Sequence, residues 1–301
     1  MKMKHIKKLA ALLLALTMVL ALAACSNQGS QAGDAPSQPV GTQPAEDNEP
    51  GGESAAPEQG AAAFTTIEEG KLLMATNAAF PPYEMTDDSG NVIGIDADIA
   101  QAIADKLGLE LVIDNIDFDA ALISVQENRH DVILAGLTYR EDRDLVMDFT
   151  DSYATGYQVI IVKEGDGTIA GTNEDLQMVD ADGNVLEDIQ IGVQRGTTGE
   201  TYCQDAHGVD HVTSLDNGSV AVQALLAGQV DCVVIDNQPA QEYVKANPGL
   251  EILDTEFAVE DYAIAVKKGN SQLLDEVNKA LSELIADGSV QKVVDKYITA
   301  D

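Results

Sequence analysis

Short apolar runs alternate along this chain with segments whose apolar residues recur at helical spacing. Residues 71–77, 109–113 and 131–134 are such runs, and the segments between them carry the helical pattern. Strands that alternate with helices predict an α/β fold built on a mostly parallel sheet. The chain has 301 residues, which is enough for one or two domains with an apolar core.

Residues 131–153 gather groups that suit the binding of a small anion. An apolar strand leads through Gly136 to Thr138 and Glu141, whose spacing is that of a capping box at the start of a helix. Arg143 lies in the first turns of that predicted helix. A strand end, the free N–H groups of a helix start and a guanidinium together predict a carboxylate site. The alternative for Arg143 is a surface ion pair with a neighbouring acidic residue.

Later in the chain a second strand end carries similar groups. The apolar run 189–193 leads to Thr197 and Glu200, which again have the spacing of a capping box, with Thr198 between them. This helix start offers N–H donors to the same kind of anion.

Two segments of the chain resemble each other in pattern. Residues 122–136 and 222–236 both run from a helix through a turn to an aspartate and an apolar strand, so Gly136 and Asp236 occupy the same place. We interpret them as parts of two similar lobes whose strand ends face one cleft. Asp236 is then placed to bind an ammonium group, although it could instead cap the helix that begins before Pro239. A carboxylate site and an ammonium site on facing edges suit an α-amino acid.

Phe80 and Phe118 follow strands near the same edge and are candidates to clamp the apolar part of a ligand. Each one alone would also fit an ordinary core position.

The N-terminus has the pattern of a targeting segment. Four lysines precede an apolar stretch over residues 9–22, which is shorter than the roughly 20 residues that a membrane-spanning helix needs. Cys25 follows small residues, as in a bacterial lipobox. We therefore expect a lipoprotein signal peptide over 1–24, and Cys25 modified with lipid (palmitate) at the head of a disordered linker over 25–65. An ordinary secretory signal, with Cys25 incidental, is the alternative.

Charge and motifs exclude several classes of function. The formal net charge of −34 repels nucleic acid, so no nucleic-acid partner is expected. The sequence contains no metal-ligand spacing, phosphate loop or nucleophile elbow, so we expect no metal, no cofactor and no catalytic residue. Residues 180–184 resemble the start of a calcium loop, but a solvated turn fits better because the remaining ligands are missing. For Cys203 and Cys232, two buried thiols are favoured over a disulfide.

Asp119 is expected to cap a helix, and the Gly- and Asp-rich residues 164–188 are expected to form a surface excursion. A further helix is predicted to open at Asn237 and to stop at Asn247, where Pro248 follows.

A series of short motifs occurs in a characteristic order: FPPY at 80–83, GIDAD at 94–98, FDA at 118–120, DVILAGLT at 131–138, EDR at 141–143, FTDSY at 149–153, GTT at 196–198 and DCVVID at 231–236. The series resembles the extracellular solute-binding proteins of polar amino-acid ABC transporters, which have a type II periplasmic-binding-protein fold. The resemblance spans about residues 66–300.

This resemblance implies a role for each group at the two strand ends. Arg143 would bind the α-carboxylate of an amino acid, together with backbone N–H groups of Thr138 and Thr198. Asp236 and the carbonyl of Gly136 would hold the α-ammonium group.

The resemblance also places the ligand side chain. Phe80 and Phe118 would flank it, with Asn77 and Thr197 among the contacts. Asn77 stands where relatives that bind cationic side chains often carry an acid, which favours a polar or neutral side chain. Arg140 would either meet an acidic or amide side chain or reach solvent.

The implied architecture has two lobes with mostly parallel sheets, one over 66–156 plus 257–301 and the other over 157–256. Two crossing strands, near 155–162 and 252–260, would join the lobes and act as a hinge. We expect a monomer, lipid-anchored at the extracytoplasmic face of the membrane, that delivers a free amino acid to the permease subunits of an ABC importer. A dehydratase on the same fold and an amino-acid sensor lipoprotein are the rival interpretations.

Overall fold

The structure, a computed structural model, describes residues 64–255 and 258–298. The expected signal peptide over 1–24, the lipidation of Cys25 and almost all of the expected linker lie outside the described residues. Phe64 is already buried in the main apolar cluster, so the folded body begins no later than this residue. Among the described helices, none has both the length and the apolar character needed to cross a membrane.

The described residues contain thirteen strands, eight α-helices and one short 3-10 helix (Val209–His211). The strands are β1 (Lys71–Thr76), β2 (Met85–Thr86), β3 (Val92–Ile93), β4 (Glu110–Asn115), β5 (Val132–Ile133), β6 (Met147–Lys163), β7 (Gly171–Thr172), β8 (Met178–Val179), β9 (Ile191–Gln194), β10 (Val212–Leu215), β11 (Cys232–Asp236), β12 (Leu250–Ile252) and β13 (Ala258–Lys267). The helices are α1 (Ile95–Leu107), α2 (Phe118–Gln126), α3 (Glu141–Asp144), α4 (Thr198–His207), α5 (Gly218–Leu226), α6 (Asn237–Ala246), α7 (Ser271–Ala286) and α8 (Ser289–Tyr297).

The main sheet of the described residues has the strand order β10-β9-β11-β6-β13-β5-β1-β4, with β12 paired to β6. On one side β9 pairs in parallel with β10 and β11, and on the other β1 pairs in parallel with β4 and β5. The central strands β6 and β13 are antiparallel to each other and to their neighbours β11 and β5. The predicted α/β fold is confirmed, with two parallel halves joined by an antiparallel centre.

The pattern similarity between residues 122–136 and 222–236 corresponds to equivalent positions in the two halves. In each half a helix leads to an aspartate and then to the strand that borders the central pair. The carboxylate of Asp131 accepts a hydrogen bond from the N–H of Leu73 at 2.9 Å, and that of Asp231 accepts one from Gln190 at 2.8 Å. The two halves are therefore built on one local plan.

The crossing strands differ in extent from the prediction. β6 covers the expected residues 155–162 but already begins at Met147, and β13 continues to Lys267, beyond the expected 252–260. Their antiparallel pairing extends from Ala258 opposite Gln158 to Lys267 opposite Met147. Because β6 and β13 are long and pair with each other over many residues, they form the main connection between the halves.

Residues 164–188 are more than the expected surface excursion. They contain the hairpin β7–β8, and Ile169 and Met178 are buried in a second apolar cluster. Cys203 and Cys232 lie in the same cluster as free buried thiols, which confirms the preference for thiols. Within the excursion, the carboxylate of Asp180 accepts hydrogen bonds from backbone N–H groups of its own turn.

The expected capping role of Asp119 is wrong. α2 begins at Phe118, one residue before Asp119, and the carboxylate of Asp119 accepts from the N–H of Ala120 instead. Burial of the Phe118 side chain brings this residue into the first turn, so the helix starts earlier than the polar residue suggested.

We predict that Asp131→Ala lowers the free energy of unfolding by about 2 to 3 kcal/mol, because it leaves two backbone N–H groups without their acceptor. These are the N–H groups of Leu73 and Ile67, each 2.9 Å from the carboxylate. The matched control is Asp231→Ala, which removes an exposed carboxylate at the equivalent place and is expected to cost about 1 kcal/mol or less. Urea denaturation of both variants measures the difference; equal losses would contradict the argument.

Candidate functional site

A cavity lies where parallel strands from both halves end. β1 and β5 point their carboxyl ends at it from one half, and β9 and β11 from the other. Ligands of open α/β sheets bind at such strand ends. The residues that line the cavity are Asn77, Phe80, Glu84, Phe118, Ala135, Gly136, Thr138, Arg143, Gln194, Thr197, Thr198 and Asp236. All nine residues proposed from the sequence as ligand contacts are among them.

Three lining residues were missed by the sequence interpretation: Glu84, Ala135 and Gln194. Ala135 precedes Gly136 directly, and Gln194 is the last residue of β9, so a count of strand ends would have found both. Glu84 follows the FPPY motif, and nothing in the local pattern marks its carboxyl as part of the cavity.

Arg143 is buried, with 9% of its surface exposed, and its guanidinium is held by backbone carbonyls. Nη1 donates to the carbonyl of Thr138 and Nη2 to that of Gly196, both at 2.9 Å. The surface ion pair considered from the sequence is wrong: within the described residues, no carboxylate oxygen lies within 4.0 Å of Arg143. Burial lowers the pKa of Arg143 to about 10, so it remains a cation at neutral pH.

Aromatic contact also positions this cation. The Arg143 guanidinium lies 5.8 Å from the centroid of the Phe118 ring. A guanidinium in this position gains a cation–π attraction. Phe118 therefore both lines the cavity and orients its cation.

The capping box expected at Thr138 does not form. Residues 138–139 extend along β13, with an isolated bridge between Thr138 and Tyr262, and the Thr138 hydroxyl donates to Glu260 at 2.9 Å. The helix α3 begins only at Glu141 and has four residues. Pairing with a distant strand thus replaces the local cap.

Thr197 caps the second helix as its spacing predicted, but the return bond of the capping box goes to Gly196 instead of Thr197. The Thr197 hydroxyl accepts from the N–H of Glu200 at 3.2 Å, and the Glu200 carboxylate accepts from the N–H of Gly196 at 2.6 Å. α4 therefore starts at Thr198 beside the cavity, with the positive end of its dipole toward it.

Asp236 ends β11 with a buried carboxyl. Its carboxylate accepts a hydrogen bond from the Tyr262 hydroxyl. The alternative role as a cap is wrong: Asp236 stands at the N-cap position of α6, but no cap hydrogen bond of its side chain occurs within the described residues. Burial, followed by the charge of Glu260, raises the pKa of Asp236 to about 7.

Glu260 connects the two sides of the cavity from behind. Its carboxylate accepts from the Thr138 hydroxyl at 2.9 Å and from the Gln158 amide at 3.0 Å. The same Gln158 amide lies 3.4 Å from the Thr198 hydroxyl. Thr138 and Thr198, which come from different halves, are therefore held through β6 and β13.

Direct contacts also span the cavity. The Gln194 amide donates to the side chain of Asn77 at 3.1 Å, and Asn77 in turn donates to the carbonyl of Ile116 at 2.9 Å. The Tyr243 hydroxyl donates to the carbonyl of Ala79. With the bond from Arg143 to the carbonyl of Gly196, three direct hydrogen bonds therefore join the two halves near the cavity.

Gly136 is required where the chain passes Phe80. Its φ of +51° is in the left-handed region, and a Cβ there would lie 2.5 Å from the Phe80 ring. The Gly136 N–H donates to the Asp96 carboxylate at 2.8 Å. Burial raises the pKa of Asp96 to about 6.

Arg140 does not line the cavity. Its guanidinium pairs with Asp142 at 2.8 Å, so within the described structure it meets an acid of its own chain.

The family model of bacterial extracellular solute-binding proteins, family 3, matches residues 72–300. The chain belongs to this family. The family predicted from the motif series is therefore confirmed, and the sheet has the two-half organisation expected of its type II fold.

Individual relatives agree with this assignment. The L-cystine-binding protein TcyJ of Escherichia coli (strain K12) is 30% identical over 237 residues, which are 78% of this chain and 85% of the relative. An ancestral arginine-binding protein bound to glutamine is 39% identical, with a TM-score of 0.70 over 77% of this chain and 100% of that one. The ancestral amino acid-binding protein AncCDT-1, described as a precursor of cyclohexadienyl dehydratase, is 28% identical, with a TM-score of 0.67 over 76% of this chain and 95% of that one.

The raised pKa values predict how stability depends on pH in this solute-binding protein. The folded state holds the protons of Asp236 and Asp96 more tightly than the unfolded state does. The free energy of unfolding of the ligand-free protein should therefore fall as pH rises from about 4 to about 7. We expect Asp236→Asn to remove up to about 4 kcal/mol of this fall.

Urea unfolding of the wild type and the variant at pH 4 and pH 8 measures the difference. Asp216→Asn, at an exposed residue, is the control and should keep the wild-type dependence. Identical pH dependence in wild type and Asp236→Asn would contradict the assignment.

Proposed function

We propose that this protein is an extracytoplasmic receptor that binds a free amino acid and delivers it to an ABC importer. One observation carries the proposal: a single cavity brings together a buried cation, Arg143, and a buried carboxyl group, Asp236, from opposite halves of the sheet. An α-amino acid carries the complementary pair of charges on adjacent groups.

Arg143 binds the ligand carboxylate in this proposal. Its two bonds to backbone carbonyls orient the guanidinium, which has further N–H groups available for a carboxylate. The N–H groups of Thr138 and of Thr198, at the start of α4, add donors on either side.

Asp236 and the carbonyl of Gly136 hold the ammonium group. A cation beside Asp236 favours the ionised carboxylate, which otherwise is disfavoured by burial and by Glu260. Binding of the ammonium group thus relieves an electrostatic cost that the ligand-free cavity carries.

Phe80 and Phe118 flank the ligand side chain, and Asn77, Thr197 and Gln194 surround its end. The last three offer amide and hydroxyl groups rather than charges, which favours a polar or neutral side chain. Ancestral arginine-binding proteins are bound to glutamine in one solved structure and to arginine in another, so the preference for a neutral side chain rests on these lining groups.

The receptor closes around its ligand by a hinge between the lobes 66–156 plus 257–301 and 157–256. Arg143 and Gly196, like Asn77 and Gln194, belong to different lobes, and their hydrogen bonds need the lobes to be close. A ligand that contacts both lobes stabilises the closed state. The two strands β6 and β13 contain the hinge. The receptor acts as a monomer that presents its closed form to the permease.

The dehydratase remains the rival for this fold, on the similarity to AncCDT-1. That neighbour is itself an amino acid-binding protein, so its similarity to this chain supports a binding function directly. It supports catalysis only indirectly, because AncCDT-1 is a precursor of the dehydratase and not the dehydratase itself. Dehydration would require a general acid beside a leaving group. We therefore favour the receptor.

Arg143→Ala is expected to lower amino-acid affinity at least about a hundredfold, because a buried carboxylate would lose its charged partner. A thermal-shift screen of the common amino acids first identifies a ligand of the wild type. Calorimetry with that ligand then measures the loss. The matched control is Arg195→Ala, since Arg195 pairs with Asp216 at the surface and does not line the cavity.

Thermal unfolding of both arginine variants checks that the fold is retained. Undiminished affinity of Arg143→Ala would contradict its assignment to the carboxylate, and the absence of any amino-acid ligand for the wild type would contradict the receptor itself.

If a lipid on Cys25 anchors the protein, replacing this cysteine should release the protein from the membrane. In cells that express the full chain, Cys25→Ser should shift the protein from the membrane fraction to the medium or periplasm, because one reactive thiol carries the lipid. Fractionation and labelling with a palmitate analogue measure this. Cys203→Ser, at a buried thiol, is the control; an unlabelled wild type would argue for an ordinary secretory signal.

A further inference from the structure

Glu260 is a buried carboxylate behind the cavity, and the proposed binding function gives it no role. Only 3% of its surface is exposed, and it is not among the described residues that line the cavity. Its carboxylate accepts from the Thr138 hydroxyl at 2.9 Å and from the Gln158 amide at 3.0 Å. Burying a carboxylate costs free energy, which hydrogen bonds offset when several donors converge on it. A buried acid with converging donors therefore indicates a group that holds its neighbours in place.

Tyr202 adds a hydrogen bond to Glu260 from the half of the sheet that contains β9. It lies on α4, one turn after Thr198, and its hydroxyl shares a side-chain hydrogen bond with the Glu260 carboxylate. Burial, followed by the charge of Glu260, raises the pKa of Tyr202 to about 12, so the hydroxyl keeps its proton and acts as the donor. Glu260 thus accepts from Thr138 in one half and from α4 in the other.

The two ends of this bridge carry backbone donors of the proposed carboxylate site. One donor is the N–H of Thr138, whose own hydroxyl bonds to Glu260. The other is the N–H of Thr198, in the same helix as Tyr202. The Gln158 amide, which donates to Glu260, also lies 3.4 Å from the Thr198 hydroxyl. One carboxylate therefore connects two donors that come from different halves.

The charge of Glu260 also acts on the guanidinium of that site. Burial and the charge of Arg140 lower the pKa of Arg143, and the charge of Glu260 opposes this change. Glu260 therefore favours the cation that the proposed function assigns to the ligand carboxylate. All three groups of the carboxylate site, Arg143 and the two N–H groups, are thus linked to Glu260.

We propose that Glu260 and Tyr202 are positioning residues, which set the distance between the N–H groups of Thr138 and Thr198 when the two halves close on a ligand. The inference rests on the proposed function, because it concerns the carboxylate site of that proposal. Neither residue contacts the ligand; both act through residues that do. A hydrogen bond made only when the halves are close stabilises the ligand-bound state relative to the open one. Its removal should weaken binding although every ligand contact is kept.

Tyr202→Phe tests this proposal because it removes the hydroxyl and keeps the ring. Calorimetry on the full chain, with the amino acid found by the thermal-shift screen, should show at least about a fivefold loss of affinity, since a charge-assisted hydrogen bond is lost. Tyr297→Phe is the matched control and should bind as the wild type does. The Tyr297 hydroxyl also donates to a carboxylate, that of Asp98 at 3.1 Å, but neither residue lines the cavity.

A double-mutant cycle shows whether the effect runs through Glu260. Thr138→Val removes the other hydroxyl that bonds to Glu260 and keeps the backbone N–H. If Glu260 couples the two hydroxyls in the closed state, the double variant should lose at least about threefold less affinity than the product of the two single losses. Urea unfolding of the ligand-free proteins should show no such coupling, because the open halves hold the two hydroxyls apart.

Wild-type affinity in Tyr202→Phe would overturn this inference, and so would single losses that simply multiply in the double variant. Coupling of equal size in the unfolding of the ligand-free proteins would show a structural role and would overturn it as well. These results leave the receptor function intact, because Arg143 and Asp236 are unchanged in all the variants. Failure of the wild type to bind any amino acid would instead overturn the proposed function, and the positioning role with it.

Discussion

The antiparallel pairing of β6 with β13 is the constraint on which the rest of this structure depends. It joins two parallel half-sheets into one, and it places Glu260 and Tyr262 of β13 behind the cavity. Tyr262 reaches Asp236 because residue 156 on β6 is glycine: a Cβ there would lie 2.3 Å from the tyrosine oxygen. The central strands therefore connect the halves and also hold the groups that orient the site.

The cavity and its immediate surroundings gather more buried carboxyl groups than buried cations. One buried guanidinium, that of Arg143, stands against a set of buried carboxyl groups: Glu84, Asp96, Asp236 and Glu260. Removing charges from water costs free energy, and the structure limits that cost with backbone carbonyls on Arg143 and with raised carboxyl pKa values. A zwitterionic ligand would complete the missing pairs. The buried charged groups that destabilise the ligand-free protein therefore also favour a zwitterionic ligand.

Local features of the sequence were sufficient for much of the fold and for most of the lining residues. Helix α6 was placed correctly because Pro239 and the Asn247–Pro248 pair mark its two ends, and Thr197 capped α4 as its spacing indicated. The expectation for Thr138 failed although its spacing was equally good. Its backbone extends along β13, more than a hundred residues away, and this pairing overrides the local cap.

The amino-acid sequence by itself determined the alternation of strands and helices and the kinds of side chain at the strand ends, since these depend on periodicity and on local backbone preferences. Only the tertiary structure decided what those side chains contact. The bond from Arg143 to the carbonyl of Gly196 joins residues 53 positions apart, and Glu84 became part of the cavity through its backbone bridge with Phe80. Contacts of this kind follow from sheet register and burial, which no local pattern encodes.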